Sequence, residues 1–149
     1  MRGIVLVEGA VDFAALVQWG VTAEWLCIAL LGTAHARVVA HLAAQHRGSP
    51  VVIALDQDKP GKEAALKTAL ALGEVGMTCY IVIDADRQAH HQASSATALD
   101  QARAELALID EIAKQGFARW VHWRNHAKDC GDLLMQGEAG REQFLRALL

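Results

Sequence analysis

The chain has 149 residues, 53% of them hydrophobic and 21% charged, values that belong to a folded domain and exclude a disordered segment. Lys and Arg number 14 against 17 Asp and Glu, and the net charge of −3 excludes a protein that holds nucleic acid by bulk positive charge. The apolar runs are strand-length, and Glu8 interrupts the first of them before a signal-peptide core can form, so a cytoplasmic protein with no membrane partner is expected.

Short β-branched runs alternate with longer Ala/Leu-rich stretches, the pattern of an α/β domain whose mostly parallel sheet is flanked by helices on both faces. In chain order, a strand is predicted over 4–7 and a helix over 11–19, then a strand over 25–30 and a helix over 34–46. A third strand over 51–55 precedes a helix over 62–72, and a fourth over 77–83 precedes the longest helix, 97–114. A fifth strand over 119–123 leads to a short C-terminal helix over 141–149. Pro50 and Pro60 bracket the third strand, where a missing backbone donor costs little. Residues 87–95, with paired His90-His91 and Ser94-Ser95, read as a mobile loop. The whole reads as one domain over 1–149, with an inserted strand and helix over about 77–118.

Several chemistries are set aside by what the residues lack. Cys27, Cys79 and Cys130 are odd in number and contain no C-x-x-C pair, so neither a disulfide framework nor a zinc ribbon is expected, and the histidines show no zinc spacing. The G-x-x-x-x-G-K-[ST] frame of a nucleotide-driven motor is missing. Tyr80, the single tyrosine, lies inside an apolar strand and is a poor nucleophile. Trp19, Trp25, Trp120 and Trp123 read as core rather than base-stacking residues, with Trp123 the best exposed candidate. His35, Arg37, His41, His46 and Arg47 read as a solvated helix face, with a weakly basic surface as the alternative.

In open α/β sheets ligands bind beyond the carboxyl ends of the strands, and here those ends are acidic. The first strand ends in Glu8-Gly9 with Asp12 one turn on, the third in Asp56-Gln57-Asp58, the fourth in Asp84-Ala85-Asp86, and Asp129 and Asp132 follow the fifth. Carboxylates brought to one edge repel unless they are protonated or neutralised, which calls for a divalent cation. Mg²⁺, or Mn²⁺ in its place, suits oxygen ligands and binds through one or two carboxylates plus substrate phosphates, and two such ions can clamp an in-line phosphoryl transfer. The competing reading of each Asp is a solvated helix cap.

The strings VLVEGAVD (5–12), LLGT (30–33) and IALDQDKPGKEAA (53–65) resemble the three successive motifs of the Toprim domain, shared by bacterial DNA primases, topoisomerases, some nucleases and recombination proteins. Glu8-Gly9-x-x-Asp12 and Gly32-Thr33 are most similar to the primase branch, including phage and plasmid primase-helicases, in which the D-x-D also runs on to a glycine and a basic residue, here Gly61 and Lys62. KDCGDLL (128–134) is similar to the Lys-Asp-x-x-Asp/Glu-Leu-Leu element after the last strand of primases. The matches run from about 4 to 137; Pro60 and Glu63 depart from the primase pattern, and the inserted segment stands before the terminal acidic motif.

The resemblance implies a Toprim-like, Rossmann-like fold. It also implies Glu8 as a metal ligand or general acid/base, Asp56 and Asp58 as Mg²⁺ ligands and catalytic residues, Asp129 as a further carboxylate at the metals, and Asp12 in support. Asp84 and Asp86 form an alternative D-x-D, disfavoured because Gly61 permits a tight turn into a helix after the first pair. Asp132 is a further acidic candidate. Gly9, Gly32, Thr33, Gly61 and Lys62 are candidate nucleotide- or phosphate-binding residues, Lys62 standing in a first helical turn, with a solvent-facing side chain as the alternative. The implied function is Mg²⁺-dependent nucleotidyl transfer of the primase kind. Nucleic acid and nucleoside triphosphates would be its partners, together with other domains or chains such as a zinc-binding module and a helicase. A small nuclease and a non-catalytic metal-binding scaffold are the alternatives.

Overall fold

Strand β1, Gly3–Val7, is buried throughout because it lies inside the sheet and under helices on both faces. It pairs in parallel with β2 (Trp25–Ala29) on one side and β3 (Val51–Ile53) on the other. Strands β4 (Cys79–Asp84) and β5 (Ala118–Val121) extend the sheet in parallel beyond β3, giving five strands in the order β2-β1-β3-β4-β5. The computed structural model describes residues 1–32, 35–85, 96–123 and 127–148.

The period of two along each strand sorts the core into two layers. Ile4, Leu6, Val51, Ile53, Ile81 and Ile83 pack with residues of α2 (His35–Gln45), α3 (Lys59–Glu74) and α4 (Ala96–Lys114). Val5, Val7, Val52 and Val82 face the other way, onto α1 (Ala10–Gln18), α5 (Cys130–Leu134) and α6 (Glu138–Leu148). The result is the expected α/β architecture, a parallel sheet covered on both faces.

Each predicted strand has a counterpart in the structure within a few residues. Helix α3 starts at Lys59 rather than at 62, because Asp58 caps it and Pro60 fits the first turn, where its missing N–H is no loss. The short α5, capped by Asp129, was not anticipated as a helix. The segment read as an insertion supplies β4, which lies between β3 and β5, and α4, which packs on α3. Trp123 is buried at 2% exposure among Phe144 and its neighbours, and Trp120 on β5 is the exposed tryptophan at 49%, the reverse of the sequence expectation. Tyr80 is half-buried with the Arg119 guanidinium 4.1 Å over its ring. The loop expected over 87–95 lies outside the described residues. Among the described residues no helix is long and apolar enough to cross a membrane.

Candidate metal centre at the β1/β3 switch point

In the order β2-β1-β3-β4-β5 the winding direction reverses between β1 and β3, and their carboxyl ends flank the crevice where such sheets bind ligands. Glu8 leaves β1 and Asp56 leaves the β3 end, and the Asp56 N–H donates to Glu8 Oε2 at 3.3 Å across the reversal. Glu8 and Asp56, two of the acidic residues that the motifs single out, are therefore adjacent.

The stretch 56–58 shows why the D-x-D spacing works. Residues two apart in extended chain share a side, and the Asp56 and Asp58 carboxylates both reach the Lys128 ammonium, at 3.3 Å and 3.2 Å from their Oδ2 atoms. Gln57 turns inward and is 1% exposed. Its Nε2 donates to the Val82 carbonyl at 2.8 Å, its Oε1 accepts the Asp84 N–H at 3.0 Å, and its own N–H donates to the Lys128 carbonyl at 2.8 Å. One buried amide thus locks the loop to β4 and to the chain before α5.

Gly61 makes the turn after the pair possible by its size. A Cβ there would stand 2.1 Å from the Asp56 carbonyl oxygen, and its N–H donates to Asp58 Oδ1 at 2.9 Å. That N–H is therefore engaged by the cap. Gly9 is similar, its N–H donating to Asp12 Oδ2 at 3.1 Å. Asp12, 6% exposed, accepts the Gly131 N–H on Oδ1 at 3.1 Å and so ties the turn after β1 to α5. Asp129 caps α5 by accepting the Asp132 N–H at 2.8 Å, and Asp132 accepts the Lys128 N–H at 2.8 Å.

The charges are crowded. Burial, and next the charge of Glu8, push the Asp56 carboxyl up to about 6, with Asp129 adding to the rise while Lys128 opposes it. Burial also raises Asp12, with Asp129 and Glu8 contributing and the Gly131 and Gly9 N–H groups opposing. Asp58 and Asp56 in turn make Lys128 hold its proton more strongly. The three cysteines are free, and burial pushes the Cys27 and Cys79 thiols up to about 11 and Cys130 well above its ordinary value, which leaves no reactive thiolate.

Two candidates stand elsewhere than expected. The Lys62 side chain is turned inward rather than to solvent: its ammonium is buried, donating to the Gln57 carbonyl at 2.9 Å and to Glu105 Oε1 at 2.6 Å. Asp84 is fully buried at the end of β4, where its Oδ1 accepts the Trp123 N–H at 3.3 Å. Asp86 and Thr33 lie outside the described residues. Gly32 has a φ of +89°, and Leu31 before it, 67% exposed, adopts the left-handed φ of +48° while its N–H donates to the Glu8 carbonyl at 3.0 Å. Lys128, Gln57 and Glu105 have no role assigned from the sequence; Lys128, as the first residue of KDCGDLL, and Gln57, as the middle of the D-x-D, lie inside motifs, whereas Glu105 lies in none.

The residues fit a hard divalent cation. Among the described residues no three His, Cys, Asp or Glu side chains gather to hold a metal by themselves. The Asp56 and Asp58 carboxylates nonetheless converge on one positive centre, the Lys128 ammonium, beside a third carboxylate. Two carboxylates are what Mg²⁺ asks of a protein when waters and phosphates complete its shell.

Fold and site define a doubly wound α/β domain with carboxylates clustered at its switch point. The chain belongs to the Toprim-like family, whose profile matches residues 5–88, and domains of this family are typically metal-binding and catalytic in nucleotidyl transfer or nucleic-acid cleavage. A solved protein from Aquifex aeolicus is similar at 26% identity over 54% of this chain and 68% of its own, with a TM-score of 0.43. No curated relative matches the chain.

Proposed function

We propose that the chain is a Mg²⁺-dependent nucleotidyl-transfer domain of the primase kind, synthesising primers on a DNA template from nucleoside triphosphates as part of a larger replication assembly. The observation that supports this reading is the convergence of Asp56 and Asp58 on a single cation next to Glu8 at the β1/β3 switch point. Asp56 and Asp58 are the residues that would hold Mg²⁺, which when bound supplies charge neutralisation at the transferring phosphate and acidifies an attacking hydroxyl. Glu8 reaches the same crevice from a separate strand, which supports a role in accepting the proton of that hydroxyl or in touching a second ion. Asp12 and Gln57 orient the two loops, and Asp129 adds negative charge at the rim. With a net charge of −3, template holding falls to other domains or chains, a zinc-binding module and a helicase being the kinds expected.

The test is template-dependent incorporation of labelled nucleotides by the chain, alone and with added primase accessory domains, in Mg²⁺ and in EDTA. Primer synthesis lost in EDTA and in Glu8→Gln supports the reading. Hydrolysis of DNA or RNA without synthesis replaces it with a nuclease. Metal binding with neither activity leaves a scaffold.

A further inference from the structure

The Lys128 main chain is held from two sides, and its side chain reaches out from there through partly exposed space. Its carbonyl accepts the Gln57 N–H at 2.8 Å and its N–H donates to Asp132 Oδ2 at 2.8 Å, so the residue is pinned to the D-x-D loop on one side and to α5 on the other. The side chain is 42% exposed and spans the gap to Asp56 Oδ2 and Asp58 Oδ2. A lysine stem is flexible and its ammonium well hydrated, so it can leave for water without moving the backbone.

A divalent ion held by these two carboxylates cannot share them with an ammonium a few ångströms away, because like charges at that range repel by kcal/mol amounts. Without some cation, Asp56, Asp58 and Glu8 would crowd one crevice uncompensated. From this geometry we infer that Lys128 is a tethered counterion that keeps the D-x-D carboxylates in ligand position while no metal is bound, and that metal binding is an exchange in which the Lys128 ammonium is displaced. The inference rests on the proposed metal role of Asp56 and Asp58. It makes Lys128 a positioning residue that lowers metal affinity while stabilising the metal-free protein, a combination an ordinary surface ion pair or a metal-supporting residue would not produce.

Calorimetric Mn²⁺ titration and thermal unfolding of wild type, Lys128→Met, Lys128→Gln and Lys128→Arg test it. The neutral variants should bind Mn²⁺ about tenfold more tightly and melt lower without metal, while Lys128→Arg stays close to wild type in both. Unchanged or weaker Mn²⁺ affinity in folded neutral variants, with wild type binding normally, overturns the inference alone. Absence of Mn²⁺ binding in every protein overturns the metal reading and the inference with it. A second measurement needs no variant: acylation of Lys128 in the wild-type chain, read by peptide mass spectrometry against Lys67, should accelerate about threefold or more when Mg²⁺ frees the amine. Acylation that Mg²⁺ leaves unchanged or slows counts against the exchange.

Discussion

The Lys62 ammonium lies 2.6 Å from Glu105 Oε1, the two side chains being 3% and 9% exposed, and this pair joins α3 to α4 behind the D-x-D loop. Because the same ammonium also donates to the Gln57 carbonyl, the pair braces the residue between Asp56 and Asp58 from inside the protein. Removing one member of a buried pair takes that counterion away from the other, at a cost of about 3–5 kcal/mol, whereas replacing both by apolar residues is often neutral. Lys62→Met should therefore unfold at markedly lower urea concentration, and Lys62→Met/Glu105→Leu should recover most of the loss. A Lys62→Met chain of wild-type stability with a sharply raised KM for nucleotide would instead return this amine to a phosphate site.

Glu8 and Asp58 should differ in kind. Asp58 shares its cation with Asp56, while Glu8 arrives from β1 and touches the Asp56 main chain. Asp58→Asn is expected to lose Mn²⁺ binding and activity together, at least about tenfold in affinity, and Glu8→Gln to lose activity while retaining at least one Mn²⁺. Calorimetry on the two variants decides it; full metal binding by Asp58→Asn moves the metal away from this loop.

The crowding at Asp56 sets a pH dependence. Its carboxyl is raised from 3.8 to about 6, so the folded chain binds this proton more tightly than the unfolded chain does. The stabilising contribution of the proton is complete below about pH 4 and is lost as pH rises through about 6. Metal-free protein should thus melt higher near pH 5 than near pH 7.5 by a few degrees, on the order of 1–2 kcal/mol. Asp56→Asn should flatten that dependence and stabilise the metal-free chain at neutral pH, and Mg²⁺ should raise the wild-type melting temperature but not that of the variant. A wild type indifferent to millimolar Mg²⁺ would contradict a preformed site.

Leu31 holds a left-handed φ of +48° that leucine rarely adopts, with its side chain largely in water. Leu31→Gly removes that conformational cost without emptying any core, and should stabilise the chain by roughly 1 kcal/mol despite glycine's greater freedom when unfolded. Differential scanning calorimetry reads the sign. A lower melting temperature for the glycine variant would show that the leucine side chain is packed where the structure leaves it exposed.

The strands were legible because strands covered on both faces must be apolar at nearly every position, as Ile4–Leu6 and Val51–Ile53 are, and nothing distant is needed to recognise such runs. The carboxylates at their ends were legible for a related reason: a residue that ends one of these strands lies at the sheet's carboxyl edge whatever packs elsewhere. The family motifs around Glu8 and Asp56-Gln57-Asp58 gave the order of those ends along the chain. Helix ends were less legible, since the start of α3 depends on a cap by Asp58 that competes with the loop's other bonds.

What the chain alone could not decide is which lysine faces the acidic loop. Lys62 follows the D-x-D by four positions and Lys128 by seventy, yet Lys128 spans Asp56 and Asp58 while Lys62 is drawn inward. The outcome depends on α4 presenting Glu105 to α3, and on the bond from the Gln57 N–H to the Lys128 carbonyl that fixes the approach of the chain before α5. Both are contacts between segments far apart in sequence, formed only when the helices dock on the sheet, so no local pattern of residues encodes them. Trp123 and Trp120 are sorted in the same way, one onto Phe144 beneath α6 and the other to the outside of the edge strand β5, by packing that a four-residue strand does not announce.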